Sequence, residues 1–101
     1  MTRVSILRSG GYKSGFIMEG HTAGCDSEEG RLVCAALSSA AYMCANTLTE
    51  ILLIECMSDV RDGYMRIEAK NAKPAQDILD GFCLHIKGLQ EQYPDYITLN
   101  D

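Results

Sequence analysis

The feature that most constrains the fold is a long apolar segment in the middle of the chain. Apolar side chains recur there at steps of three or four residues, which is typical of one face of an α-helix: Val33, Leu37, Ala40, Cys44, Leu48 and Ile51. Side chains off this stripe are also largely apolar, among them Leu32, Ala36 and Met43. The pattern predicts a core helix that a sheet and a second copy of the chain cover on most sides.

The start of this helix has two candidate signals. Asp26 and Glu29 have the spacing of a capping box, and Gly30 is the alternative first residue. Residues 20–30 form a polar, irregular segment before the helix. Loops of this length are usually functional or mobile, so the segment is a candidate part of a site.

The remaining segments predict strands and a second helix around the core helix. Residues 4–8 and 12–19 predict a hairpin, and residues 55–60 and 64–70 a second hairpin about the Asp62-Gly63 turn. A helix from Asn71 to Pro94 and a final strand at residues 96–99 follow. The order ββ–loop–α–ββ–α–β predicts one sandwich-like α+β domain over residues 1–101, with a mainly antiparallel sheet and two packed helices.

Length and charge exclude several function classes. A chain of 101 residues has room for one core, and its net charge of −5 disfavours direct nucleic-acid binding while suiting a basic partner. The longest apolar run, residues 32–37, is too short to span a membrane, and no signal-peptide pattern is present. The odd count of five cysteines predicts a cytoplasmic protein with reduced thiols.

One pair of residues could catalyse a reaction. His21 follows a predicted strand and Cys34 lies near the predicted start of the helix. A helix N-terminus favours a thiolate, and an imidazole can take the thiol proton and later protonate a leaving amine. Residue spacing alone does not bring the two together, and a buried structural thiol is the commoner role for a helical cysteine.

Several alternatives stay open from the residues alone. Cys25 is the rival nucleophile, because it lies in the loop four residues from His21. His21, Cys25 and Cys34 could also ligate zinc, but no fourth ligand has the usual spacing, so no metal or cofactor is expected. The other thiols and the second histidine are interpreted as packing or surface residues: Cys44, Cys56, Cys83 and His85.

The whole chain resembles the ribosomal-processing cysteine protease family Prp. The residues that carry the resemblance are Gly20-His21, a polar loop containing glycine, and Val33-Cys34-Ala35-Ala36-Leu37-Ser38 at the helix. The resemblance implies a homodimeric endopeptidase with His21 and Cys34 as the catalytic pair and Ser38 in a supporting role. It also implies the substrate, a basic large-subunit ribosomal protein (number twenty-seven) whose N-terminal extension is removed after an aromatic residue during ribosome maturation.

One departure from the family pattern concerns Arg31. Family members often have an aspartate at this position, three residues before the nucleophile, and here Asp26 or Glu29 would have to replace it. The departure supports an alternative, a non-catalytic ribosome-associated binding or regulatory module of the same fold. A third hypothesis, a small metal- or redox-binding protein, predicts bound zinc or a disulfide between Cys25 and Cys34.

Overall fold

The computed structural model of the chain describes residues 1–20 and 27–101. Two helices and five strands follow one another in the predicted order: β1 (Thr2–Ser9), β2 (Tyr12–Glu19), α1 (Glu28–Asn46) with a π-helical turn (Thr47–Ile51), β3 (Cys56–Arg61), β4 (Tyr64–Ala69), a 3-10 turn (Lys73–Ala75) leading into α2 (Gln76–Gln92), and β5 (Ile97–Asn100). The predicted α+β class and element order are therefore confirmed.

The strands form one sheet in the order β3-β4-β2-β1-β5. All neighbours are antiparallel except β5, which runs parallel to β1 with Thr2 opposite Ile97. A parallel neighbour needs a crossover connection, and α2 lies in the segment that leads from β4 to β5. The sheet is thus mixed, with β3 and β5 at its edges.

The core lies between the sheet and the two helices. Phe16 of β2 stacks on Phe82 of α2 with the ring centroids 4.3 Å apart, and both side chains are buried. Helix α1 contributes Leu37 and Cys44, which are fully buried in the same cluster. Burial of large apolar side chains of this kind is the main favourable term in folding.

Strand β2 approaches β4 so closely that only glycine fits at position 15. A Cβ atom at Gly15 would overlap the backbone oxygen of Ile67, which belongs to the neighbouring strand. The buried Ser14 lies beside it and donates a hydrogen bond to the Glu68 carboxylate at 3.0 Å. The close approach identifies Gly15 as a packing requirement of the sheet centre.

The end of α1 departs from the predicted pattern. The Leu52 backbone N–H bonds the carbonyl of Thr47 at 2.9 Å, so the last turn is wider than an α-helical turn. The extra residue rotates Ile51 away from the core, and 74% of its surface is exposed. The prediction that Ile51 belongs to the buried stripe was therefore wrong, because the 3.6-residue period ends before it.

Helix α1 is only partly covered within one copy of the chain. Leu32 and Met43 are 64% and 54% exposed, so the described elements of one copy cover one side of α1, and the predicted cover by a second copy stays a prediction. By length and composition the segment Glu28–Ile51 could cross a membrane. The shortness of the longest apolar run, residues 32–37, had predicted that no segment could do so. A core helix passes the same test, and the fully buried Leu37 and Cys44 give it that place in this fold.

Candidate active site

The start of α1 is set by Ser27. Its hydroxyl accepts a hydrogen bond from the Gly30 N–H at 2.9 Å, and its carbonyl accepts one from the Arg31 N–H at 3.0 Å. Glu28 and Glu29 occupy the first turn, where negative charge is favourable. Neither Asp26 nor Gly30 begins the helix, so both predicted starts were wrong. The signal that was missed is a serine followed by two acidic residues, which is typical of an N-cap.

Cys34 is the seventh residue of α1 and is half-buried. The prediction placed it at or near the helix N-terminus, but almost two turns of helix precede it. The effect of the helix dipole falls off within the first turn, and here the first turn carries two carboxylates. The helix terminus therefore contributes little to stabilising a Cys34 thiolate.

Cys34 takes part in a disulfide bond in this structure. The three other cysteines among the described residues, Cys44, Cys56 and Cys83, are free thiols, so none of them is its partner. The expectation that all thiols are reduced was wrong for Cys34. A disulfide sulfur is not a nucleophile, so the bond must be reduced before Cys34 can attack a carbonyl.

The environments of the free thiols make them poor nucleophiles. Burial, together with a smaller contribution from the neighbouring Cys56, raises the pKa of Cys44 to about 12. Burial also raises the pKa of Cys56 and of Cys83, and the Asp101 carboxylate beside Cys83 acts in the same direction. Their interpretation as packing residues agrees with this environment, because a thiol with a raised pKa carries little thiolate at neutral pH.

Ser38 lies one helical turn after Cys34. The two residues are spaced i, i+4, which places their side chains on the same face of α1, and both are half-buried. The hydroxyl of Ser38 is thus placed to face the same space as the sulfur of Cys34.

His21, Cys25 and Asp26 lie outside the described residues, but the chain is anchored on both sides of them. The Gly20 N–H donates to the Gly63 carbonyl at 2.8 Å, and Gly20 has a positive φ of 83°. At the other end, Ser27 Oγ lies 3.5 Å from the Tyr96 hydroxyl.

Both anchors lie at one end of the sheet, where β1 begins and β2 ends. Arg3 pairs with Glu19, the residue before Gly20, and the neighbouring Thr2 N–H donates to the Tyr96 carbonyl at 2.8 Å. Gly20 and Ser27, the described residues on either side of His21, therefore both lie at the end of the sheet at which α1 begins. A cavity of about 410 Å³ opens beside Gly20 at this end, lined by Arg3, Glu19 and Tyr64 among others.

The other residues considered in the sequence add no further group to the candidate site among the described residues. Arg31 and Glu29 are exposed in the first turns of α1, and His85 is exposed on α2. Residues 1–20 and 27–101 contain no group of three or more His, Cys, Asp or Glu side chains that could hold a metal ion. Two of the three proposed zinc ligands, His21 and Cys25, fall outside those residues.

Comparison with known proteins identifies a family and a shared fold. The sequence profile of the cysteine protease Prp family matches residues 1–98, while a search of curated proteins found no significant match. A crystal structure of SMU.848 from Streptococcus mutans is 26% identical, with a TM-score of 0.82, and the match covers 99% of this chain and 92% of the other.

Two further crystal structures show the same fold. Both are of the ribosomal processing protease Prp from S. aureus, one in complex with a substrate peptide and one with a covalently linked product peptide. Each is 24% identical to this chain, covers 99% of it and 98% of the other chain, and has a TM-score of 0.86 or 0.85 respectively. Because the family profile spans almost the whole chain, this chain is a cysteine protease that belongs to the Prp family.

Proposed function

We propose that the chain removes the N-terminal extension of a basic large-subunit ribosomal protein, the one numbered twenty-seven, by cutting after an aromatic residue. The observation that carries the proposal is the position of Cys34 on a helix that starts at the end of the sheet where Gly20, the residue before His21, is anchored. The S. aureus protease of the same fold supports it, because it is described as a ribosomal processing protease with a substrate peptide bound. The net charge of −5 suits a basic substrate in the cytoplasm.

The proposed reaction begins once Cys34 is reduced. His21 takes the proton of the Cys34 thiol, and the thiolate attacks the carbonyl carbon of the scissile bond. The tetrahedral intermediate collapses to a thioester as the imidazolium of His21 protonates the leaving amine. Water, deprotonated by His21, then hydrolyses the thioester and releases the new carboxylate together with the free thiol. The covalently linked product peptide in the S. aureus structure is compatible with such an intermediate.

In the proposed mechanism His21 contributes more than the N-terminus of α1 to activating the Cys34 thiol. Glu28 and Glu29 neutralise the positive end of α1, and Cys34 lies beyond the first turn. An imidazolium next to the sulfur is then the principal charge that stabilises the Cys34 thiolate. Ser38, one turn further along the same face, acts as a positioning residue for Cys34 or for the substrate backbone.

We further propose that two copies of the chain associate through the groove between α1 and α2. This groove has a volume of about 570 Å³ and is lined mainly by apolar side chains, among them Ala36, Met43, Ile78 and Phe82. Met43 is more than half exposed at its margin. A two-fold contact would bury this face of both copies at once.

The cleavage proposal is tested with a peptide that copies the ribosomal extension, incubated with the protein in a thiol reductant and analysed by mass spectrometry. We expect one cut after an aromatic residue, and no cut with Cys34→Ala. Cys56→Ser is the matched control, because Cys56 donates only to the Ile54 carbonyl at 3.4 Å, a bond that a serine hydroxyl can keep. Cleavage by Cys34→Ala at the wild-type rate would remove Cys34 from the mechanism and make Cys25 the candidate.

A further inference from the structure

A cavity of about 180 Å³ lies between the second half of α1 and the outer strands of the sheet. Tyr42, Ala45 and Thr49 line it from the helical side, and Ser58, Val60 and Ile67 line it from β3 and β4. The sheet side is mainly apolar, and hydroxyl groups stand on both walls. Thr49 donates its hydroxyl to the Ala45 carbonyl at 3.1 Å, so this hydroxyl needs no acceptor from a ligand.

The cavity lies on the same side of α1 as Cys34. Cys34, Ser38 and Tyr42 are spaced i, i+4, i+8, so they line up along one side of α1. Ala36 and Met43, which line the groove against α2, lie on the opposite side. The cavity and the candidate nucleophile therefore share one face of α1, and the α1/α2 groove lies on another.

The cavity is open because the sheet extends beyond the helices. Ser58 and Val60 pair with Ile67 and Met65, which are buried on the helical face of the sheet. Residues on the same face of a cross-strand pair normally share one environment, yet Val60 is 53% exposed. Ser58 and Val60 of strand β3 thus form a ledge, with Val60 as its apolar side chain, that the described helices leave uncovered.

The ledge can also hold the backbone of an extended peptide. Strand β3 is an edge of the sheet, with β4 as its neighbour on one side and no described strand on the other. The outward N–H and C=O groups of an edge strand are a ready template for an added strand. A peptide bound there would place alternate side chains toward the helical face and the cavity.

The distance from Cys34 decides which substrate residue can reach the cavity. Tyr42 is eight residues after Cys34, which is about 12 Å along an α-helix. An extended peptide covers that length in roughly three to four residues. We infer that the cavity is a specificity subsite, which binds an apolar side chain of the peptide substrate three or four residues from the scissile bond. The inference rests on the proposed cleavage by Cys34.

The test combines substrate positions with two matched variants of β3. Peptides that keep the aromatic residue before the cut carry leucine, alanine or aspartate at the third and fourth positions on either side of it. At one of these positions we expect leucine to raise kcat/KM about tenfold or more over alanine, as apolar pockets do, and aspartate to lower it. Val60→Glu should abolish this preference.

Met57→Glu is the control, because Met57 is 48% exposed on the same strand but lies on the opposite face of the sheet, opposite Glu68. It should leave the leucine preference unchanged. The same peptides, labelled with fluorescein and bound to Cys34→Ala, give a second readout by anisotropy that needs no turnover. There too, the tighter binding of the leucine peptide should depend on Val60 and not on Met57.

Three results would overturn the inference that the cavity is a subsite. The first is equal cleavage and binding of the leucine, alanine and aspartate peptides at all four positions, and the second is an equal effect of Val60→Glu and Met57→Glu. The third is conversion of a dimer to a monomer by Val60→Glu. The last result would make the ledge a contact between copies of the chain. Failure of the proposed function looks different, because the wild-type protein would then cut none of the peptides, or Cys34→Ala would cut them as well.

Discussion

Ser27 caps the helix that carries Cys34, and the two residues are seven positions apart. The Ser27 hydroxyl accepts the Gly30 N–H at 2.9 Å, so α1 begins at Glu28 and Cys34 lies well inside it. The Cys34 backbone is therefore held rigidly, whereas the residues just before Ser27 include the proposed partner His21. The proposed catalytic pair joins a thiol on a capped helix to a histidine that lies outside the described residues.

The activity should depend on a reductant. Because Cys34 is held in a disulfide, protein kept without a reductant should cut no peptide and should incorporate no iodoacetamide at Cys34. After reduction, Cys34 should be alkylated faster than Cys44, Cys56 and Cys83, whose pKa values are raised by burial. Mass spectrometry of tryptic peptides measures both effects. Slow, uniform labelling of all four thiols would favour the non-catalytic binding module.

His21→Ala should lower kcat by about two to four orders of magnitude, the usual contribution of a general acid–base group. The variant loses the group that takes the thiol proton and protonates the leaving amine. His85→Gln, at the exposed histidine of α2, is the control and should keep wild-type turnover. Peptide cleavage measured under single-turnover conditions checks this. A loss smaller than tenfold in His21→Ala would exclude His21 from the mechanism.

Two glycine substitutions should have opposite effects on stability. Gly15→Ala places a methyl group into the backbone of Ile67, so we expect a loss of several kcal/mol in the free energy of unfolding or no folded protein. Gly88→Ala on α2 meets open space and should raise that free energy by roughly 0.5–1 kcal/mol, because alanine is the better helix former. Urea denaturation followed by circular dichroism measures both. Equal stability of the two variants would contradict the close packing of β2 against β4.

The buried thiol of Cys44 should make the fold sensitive to alkali. Its pKa is raised from 9.0 to about 12, so above pH 9 the unfolded chain releases this proton while the folded chain keeps it. Stability therefore falls between pH 9 and 12, by up to about 1.4 kcal/mol per pH unit from this group. Cys44→Ala lacks this contribution, so its stability deficit against the wild type should shrink across that range. A constant deficit in urea titrations would show that Cys44 ionises normally.

The proposed dimer predicts a mass of about twice 11.1 kDa by light scattering at micromolar concentration. Met43→Glu introduces a charge at the groove between α1 and α2 and should shift the mass toward the monomer. Leu84→Glu, at a side chain 73% exposed elsewhere on α2, should leave the mass unchanged. A monomer mass for the wild-type protein would refute the dimer.

Local patterns in the sequence were sufficient to identify the elements of this fold. The two hairpins, the Asp62-Gly63 turn and the helix that the apolar period of α1 predicts depend on neighbours within a few residues, and the structure contains all of them. The chemical interpretation of Cys34 as the candidate nucleophile also came from residue types and from the family resemblance.

The tertiary structure decided the features that depend on distant parts of the chain. The parallel pairing of β5 with β1, the need for glycine at position 15, and the exposed ledge at Val60 each involve residues far apart in sequence. A hydrogen bond from the Gly30 N–H to the Ser27 side chain set the start of α1, and the backbone bonds of a π-helical turn exposed Ile51. The period of the apolar residues describes neither effect. Local propensity fixes which elements form, whereas their order in the sheet and the space left between them follow from packing that the whole chain must satisfy at once.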